Sequence, residues 1–238
     1  MSTFVLVRHG ENEWVRKNRL AGWIPGVHLN KTGQEQAKAA AARLAHLPVK
    51  AVYSSPVTRC METAVHLAQP HHREVEQVAG LGEVRYGAWE GKKIKKLAKK
   101  REWFAVQFFP SRFQFPGGEA MRETQMRMVA ALEELNGRHA DHDLIIAVSH
   151  ADLIKLALAY YLGVHIDLFQ RIIISPASVS VLHLAANGMV RVGRINDNGP
   201  LAAPKLPQKK KGKKKAKAES AHTETAVSHS HPGVSEEE

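Results

Sequence analysis

Two short apolar runs, each leading into a histidine, constrain the fold of this chain most. Residues 4–7 (FVLV) run directly into Arg8 and His9, and residues 144–148 (LIIAV) are followed one residue later by His150. Short runs of this kind are typical of strands that are covered on both faces in a parallel sheet. Because the carboxyl ends of parallel strands meet at one edge, where ligands bind in open α/β sheets, we expect His9 and His150 to lie close together there.

Strand-like and helical segments alternate through the rest of the folded part. Asn30 is a typical N-cap for a helix over 33–47, and Pro56 stands where a first helical residue is expected before residues 57–68. One further helix is predicted to end at Gly137 and another at Gly163. A closing β-hairpin is predicted around residues 187–188. The pattern predicts an α/β fold, a three-layer sandwich with a mainly parallel central sheet and helices on both faces.

Composition limits the class of protein. The chain has 238 residues, 44% of them hydrophobic, which suits one substantial core, and its single cysteine, Cys60, excludes an internal disulfide. No apolar run reaches the length of a transmembrane helix, so we expect a soluble, cytoplasmic protein. Residues 1–203 hold 26 Lys and Arg against 18 Asp and Glu, an excess that favours anionic ligands.

The last 35 residues differ sharply from the rest. Residues 204–238 hold almost no large apolar side chains and contain a lysine block followed by an acidic end. We therefore predict a folded domain over 1–203 and a disordered tail over 204–238. The lysine block could contact RNA or another polyanion weakly, and His222, His229 and His231 could hold a metal loosely, but a solvated tail explains both features.

A third strand end adds to the first two. Residues 51–55 (AVYSS) are strand-like, and Arg59 follows in the first turn of the next helix. The sequence thus predicts two histidines and two arginines at one edge of the sheet: His9, His150, Arg8 and Arg59. Guanidinium groups match the geometry of phosphate oxygens, so the set indicates phosphate binding.

Five motifs together resemble the histidine phosphatase, or phosphoglycerate mutase-like, superfamily. They span residues 3 to about 196 in the order of that family. Two stretches, VQFFPSRFQFPGGEAM (106–121) and GVHIDLFQRIIISPASVSVL (163–182), are especially similar to an actinobacterial-type subgroup labelled putative phosphomutase. The motifs are VRHG (7–10), SSPVTRCMETA (54–64), GEVRYGAWEG (82–91), FPGGEAM (115–121) and AVSHADLIK (147–155).

The resemblance implies a role for each of five residues. His9 would attack phosphorus and form a phosphohistidine, Arg8 and Arg59 would hold the phosphoryl oxygens, and His150 would donate a hydrogen bond to them. Glu83 would protonate the leaving oxygen and then activate water, a role that calls for a raised pKa. Without the resemblance, a solvated loop carboxylate would be the preferred explanation of Glu83. No metal and no other cofactor is expected.

The resemblance also implies substrate contacts from Asn12, Gly22 and Ala151. Asn12 and Val15 stand where the family usually has Ser or Thr and then Asn, and Ala151 replaces the usual glycine after the second histidine. Asn12 can still donate to a phosphate oxygen, whereas Val15 cannot, and the Cβ of Ala151 is expected to crowd the pocket slightly.

The balance between related activities stays open at this stage. We expect a phosphomonoesterase acting on a small phosphorylated metabolite, because only about two dozen residues separate Gly91 from Gly117, where authentic mutases carry a longer insertion. Within that segment, Ile94, Leu97 and Ala98 indicate the buried stripe of one basic helix. A cofactor-dependent phosphomutase is the alternative, and a non-catalytic phospholigand or polyanion-binding module is a further one. Monomer and dimer are both compatible with the sequence.

Overall fold

The computed structural model describes residues 1–199, which form one α/β unit. The predictions made for the tail, including its lysine block and histidines, lie outside the described residues. The elements, in chain order, are β1 (Ser2–Arg8), α1 (Glu13–Arg16), α2 (Lys31–Leu44), β2 (Val49–Ser54), α3 (Thr58–Ala68), β3 (Val75–Gln77), α4 (Ile94–Leu97), α5 (Arg101–Phe108), α6 (Met121–Gly137), β4 (Leu144–Ser149), α7 (Ala151–Tyr161), β5 (Val179–Leu184) and β6 (Val190–Asp197). Short 3-10 helices occupy Gln69–His71, Ala79–Leu81, Gly87–Trp89, Pro110–Arg112 and Ile166–Arg171.

The strands form a six-stranded sheet within residues 1–199, in the order β3-β2-β4-β1-β5-β6. Strands β3, β2, β4 and β1 are parallel, and β5 runs antiparallel to both β1 and β6. The mainly parallel sheet is therefore confirmed. Arg8 at the end of β1 is paired with Ser149 at the end of β4, so the residues that follow the two strands emerge side by side.

Side-chain alternation along β1 divides the core into two layers. Phe4 and Leu6 pack with residues of α6 and α7, whereas Val5 and Val7 pack with residues of α2 and α3. Successive strand residues point to opposite faces, so one buried strand contributes to both layers. Helices thus cover both faces, and the predicted three-layer architecture is confirmed.

Helix ends follow the local sequence in most places. Asn30 caps α2, with its side chain accepting a hydrogen bond from the Gly33 N–H, and Gly163 follows α7 in the left-handed region. The position predicted for Pro56 is wrong, because α3 begins at Thr58 with Val57 as its N-cap. The Ser55 hydroxyl accepts a hydrogen bond from the Val57 N–H and holds this stretch in a turn before the helix starts.

The basic segment after Gly91 forms two short helices rather than one. Leu97 is buried at the end of α4, but Ala98 is exposed, and a new helix, α5, starts at Arg101. Lysines four residues apart, such as Lys95 and Lys99, repel one another and weaken a continuous helix here. Within residues 1–199, no helix is both long and apolar enough to cross a membrane.

Candidate active site

The paired strand ends place the two predicted histidines together. The rings of His9 and His150 lie 5.2 Å apart in an edge-to-face arrangement, and both are buried. His9 follows β1 and His150 follows β4, so the parallel register of these strands sets the distance. The expected juxtaposition at the carboxyl edge is therefore observed.

Arg59 lies between the histidines and is 1% exposed. Its Nε donates to His9 Nε2 at 3.2 Å, and its Nη2 donates to the Gly22 carbonyl at 3.1 Å. The same Nη2 lies 3.1 Å from His150 Nδ1 and 3.4 Å from Glu83 Oε2. One guanidinium group thereby joins residues from four separate segments of the chain.

The contacts of His9 fix which ring nitrogen can react. Its Nδ1–H donates to the Gly10 carbonyl at 2.7 Å, which leaves a lone pair on Nε2. Burial lowers the pKa of His9 well below its usual value, and the charge of Arg59 lowers it further. His9 is therefore neutral at neutral pH, and its unprotonated Nε2 accepts the hydrogen bond from Arg59.

Glu83 has a pKa shifted opposite to the expectation. Burial raises the pKa of its carboxyl, but contact with His150, the charge of Arg59 and a hydrogen bond from the Val84 N–H lower it by more, so the net pKa is below its usual value. The predicted raised pKa is thus wrong for this state of the site. The physical reason is that Arg59 and His150 stabilise the carboxylate.

A cavity of about 220 Å³, here named the phosphate cup, opens onto these groups. Its lining includes Arg8, His9, Asn12, Arg59 and Glu83. Among the described residues, three that line this cup each have one buried donor atom without a hydrogen-bond partner: Arg8 Nε, Asn12 Nδ2 and Arg59 Nη1. Buried donors are costly without a partner, so three of them around one cavity define an anion site.

The structure also places the remaining predicted substrate contacts. Asn12 uses its Oδ1 to accept from the Trp14 and Val15 N–H groups, and its Nδ2 remains free for a ligand. Val15 and Ala151 both line the cup. Gly22, in contrast, contributes its carbonyl to Arg59, so its position suits orienting that guanidinium.

His150 lies behind Arg59 rather than among the residues that line the cup. Its Nδ1 faces Arg59 and Glu83, and its Nε2 lies 2.8 Å from the Ser55 hydroxyl. A direct contact between His150 and the phosphoryl group stays a prediction. Ser55 itself was missed by the sequence reasoning, although its place directly after β2, four residues before Arg59, was a usable signal.

Two further residues hold the Glu83 loop and were also missed. The Trp23 indole N–H donates to the Glu83 carbonyl at 2.7 Å, and Arg127 donates to the carbonyls of Gly80, Gly82 and Glu83. These bonds fix the backbone on either side of the carboxylate. Nothing in their local sequence signals this role, since both come from distant segments.

One side-chain cluster at the site has ligand types that metals use. His9, Glu83 and His150 each offer an atom within 4.8 Å of the others. Arg59, however, lies within hydrogen-bond distance of His9 and His150 and 3.4 Å from Glu83. A fixed positive charge among the three ligands opposes a divalent cation, so the residues present do not fit a metal centre.

The fold and the site together define an enzyme site for phosphoryl groups at the carboxyl edge of the parallel strands in an α/β sheet. The family model for the histidine phosphatase superfamily (branch 1) matches residues 4–198, and the chain belongs to that superfamily. It is a phosphomonoester hydrolase of this superfamily, which also has phosphoglycerate mutases among its members.

Two curated relatives carry phosphatase names. Phosphoserine phosphatase 1 of Hydrogenobacter thermophilus is 30% identical over 189 residues, 77% of this chain and 87% of the relative. The metal-independent phosphoserine phosphatase of Arabidopsis thaliana is 34% identical over 190 residues, 77% of each chain. Among solved structures, a mycobacterial glucosyl-3-phosphoglycerate phosphatase complexed with VO3 superposes with a TM-score of 0.75 at 22% identity, covering 82% of this chain and 98% of the other. The last likeness shows the shared fold.

Proposed function

We propose that the protein hydrolyses small phosphomonoesters through a phosphohistidine on Nε2 of His9. The observation that carries the proposal is the convergence of this lone pair with three unpartnered donors, from Arg8, Asn12 and Arg59, on one cup. A phosphoryl group in transfer carries negative charge on three equatorial oxygens. The three donors match that charge in number and sign.

In the first step, His9 Nε2 attacks phosphorus, a nitrogen–phosphorus bond forms and the bond to the alcohol oxygen breaks. Arg59 exchanges its bond to Nε2 for a phosphoryl oxygen, which frees the lone pair. The hydrogen bond from Nδ1–H to the Gly10 carbonyl stabilises the positive charge that develops on the ring.

Glu83 supplies the proton that the leaving oxygen needs. The second pKa of a phosphate monoester is about 6, so near neutral pH a part of the substrate is the monoanion, and this form enters with one proton. Its negative charge beside Glu83 raises the pKa of the carboxyl, which takes that proton and passes it to the departing alkoxide.

In the second step, water attacks phosphorus and the bond to Nε2 breaks. The Glu83 carboxylate accepts one proton of the water, and the other stays on the phosphate that leaves. His9 regains its lone pair, and loss of the Glu83 proton to solvent completes the cycle.

A small phosphorylated metabolite is the proposed substrate, because the cup is only about 220 Å³ in volume. Phosphomutase activity is the second candidate. A 2,3-bisphosphoglycerate-dependent phosphoglycerate mutase of Thermoplasma acidophilum is 26% identical over 206 residues, 82% of this chain and 94% of the relative. Assaying 3-phosphoglycerate for both inorganic phosphate and 2-phosphoglycerate separates the two activities.

The test is the nucleophile variant His9→Ala, with exposed His46→Ala as the matched control. Loss of a covalent nucleophile lowers kcat by at least about 10³-fold, so we expect hydrolysis of p-nitrophenyl phosphate to fall by that much in the first variant only. Quenching the wild type during turnover traps an acid-labile, alkali-stable phosphoenzyme. Undiminished turnover by His9→Ala, or no phosphorylated protein in the wild type, overturns the proposal.

A further inference from the structure

A second cavity adjoins the phosphate cup and has a different chemical character. This cavity, here named the annex, has a volume of about 250 Å³ and shares Leu20, Tyr86, Ile94 and Asp152 with the lining of the cup. With the phosphoryl group in the cup, as proposed above, the adjoining annex is the space next to the alcohol part of a bound ester.

Most of the annex surface is apolar. Six of the described residues that line it have hydrophobic side chains: Leu20, Ile94, Trp103, Val106, Phe115 and Met121. An apolar cavity of about 150 Å³ lined by similar side chains is enough to bind benzene. The annex consequently has room for a substituted ring or a short alkyl chain.

The charge of the annex opposes a carboxylate. None of its described lining residues is Lys or Arg, and the one that carries a charge is Asp152. Lys155 donates to both Asp152 and Gln170. Asp152 also interacts electrostatically with Arg8, which lines the cup and not the annex. Arg19, which lines the cup, donates Nε and Nη2 to the Gly91 carbonyl.

We propose that the annex binds the alcohol part of the substrate, and that the substrate class is phosphomonoesters of uncharged, apolar primary alcohols rather than of hydroxy or amino acids. This inference rests on the proposed function. Burial of a ring in the annex contributes to binding in the transition state, whereas a carboxylate there loses its hydration without gaining a cation. Two relatives are named for phosphoserine, an amino acid ester, so the proposed substrate class differs from the one in their names.

The test compares four esters of primary alcohols, so that leaving-group basicity does not decide the result. They are 2-phenylethyl phosphate, glycerol 3-phosphate, O-phosphoserine and 3-phosphoglycerate. A well-filled apolar pocket changes specificity by about 10-fold or more, so we expect kcat/KM for 2-phenylethyl phosphate to exceed that for O-phosphoserine and for 3-phosphoglycerate by at least that factor. Equal values, or a preference for either carboxylate, overturn the inference.

A charge placed in the annex gives a second measurement. Gln107, on α5, lines the annex, whereas the neighbouring Phe108 is exposed. Gln107→Arg should lower the ratio of kcat/KM for 2-phenylethyl phosphate to that for 3-phosphoglycerate by at least about 10-fold, and Phe108→Arg, with the same added charge, should leave the ratio unchanged. An equal change of the ratio in both variants overturns the annex as its cause.

The outcomes separate this inference from the function beneath it. If the wild type hydrolyses all four esters through a trapped phosphoenzyme but without the apolar preference, the annex proposal alone is wrong. If no ester is hydrolysed and no phosphoenzyme forms, both proposals fall. Should Gln107→Arg fail to fold, the wild-type comparison of the four esters still decides.

Discussion

Nε of Arg59 donates a hydrogen bond of 3.2 Å to Nε2 of His9, the ring nitrogen that His9 leaves unprotonated. Together with burial, this contact keeps the imidazole neutral, and it occupies the lone pair of Nε2. In the proposed reaction, attack on phosphorus begins when Arg59 turns to a phosphoryl oxygen. Arg59 is thus proposed to hydrogen-bond the nucleophilic nitrogen of His9 before the reaction and to bind a phosphoryl oxygen during it.

The free amide of Asn12 provides the first prediction. Asn12→Asp keeps the side-chain oxygen that caps α1 but replaces the Nδ2 donor in the cup with a negative charge. Hydrogen bonds to charged groups contribute about 1.5–3 kcal/mol, so we expect the inhibition constant of inorganic phosphate to rise by roughly 10- to 100-fold. The thermal midpoint should change little. Asn187→Asp, in the hairpin turn, is the control, and unchanged phosphate inhibition in Asn12→Asp would remove Asn12 from the binding site.

Glu83 carries the second prediction, which separates its two proposed proton transfers. With an alkyl phosphate, Glu83→Gln should slow the first turnover by about 10²-fold or more, because the alkoxide leaves without a proton. With p-nitrophenyl phosphate, whose leaving group needs no proton, the first turnover should proceed nearly unchanged and only later turnovers should slow as phosphoenzyme accumulates. Rapid quenching measures both phases.

Exposed Glu134→Gln is the control for this experiment, since it removes one carboxylate far from the cup on α6. Equal slowing of both substrates in the first turnover of Glu83→Gln would show that the carboxylate does not act as the acid.

Much of the site was predictable because its main residues follow local patterns. The apolar runs before His9 and His150 indicate buried strands. Parallel pairing of these strands brings their carboxyl ends together, independently of the conformation of the loops. The positions of Arg59 and the caps of α2 and α7 likewise depend on nearby residues. Each of these features can be predicted from a segment of about ten residues.

The parts that were missed depend on contacts between distant segments. The lowered pKa of Glu83 results from Arg59 and His150, which lie 24 and 67 positions away and face it only in the folded chain. The Trp23 bond to the Glu83 carbonyl and the assembly of the annex are similar cases. A linear pattern contains no signal for which loop will face which.

Chelation provides the third prediction. Because Arg59 occupies the space among His9, Glu83 and His150 with a fixed positive charge, we expect full phosphatase activity after prolonged treatment with EDTA and dialysis into metal-free buffer. Added Zn²⁺ should not increase the rate. A loss of activity that Zn²⁺ or Mg²⁺ restores would contradict this prediction and favour a metal mechanism.

The fourth prediction concerns stability against acid. The pKa of His150 is lowered from its ordinary value to about 4: burial lowers it most, Glu83 partly opposes the shift and the charge of Arg59 adds to it. Below pH 6.5 the unfolded chain therefore binds a proton that folded His150 resists, so acid favours unfolding. The loss of stability is absent above pH 6.5, grows as the pH falls, and is complete below the pKa of the folded state.

A slope of up to about 1.4 kcal/mol per pH unit is expected from one such group. Urea titrations at pH 6.5, 6.0, 5.5 and 5.0 should show that the free energy of unfolding falls less steeply in His150→Gln than in the wild type. His46→Gln, at an exposed position, should keep the wild-type slope. The titrations end at pH 5.0 because Glu83, whose pKa is also lowered in the folded state, contributes its own loss of stability at lower pH. That loss begins where the carboxyl groups of the unfolded chain start to bind protons. Equal slopes in the wild type and His150→Gln would mean that His150 protonates as readily in the folded protein as in the unfolded chain, which is incompatible with a neutral imidazole buried against Arg59.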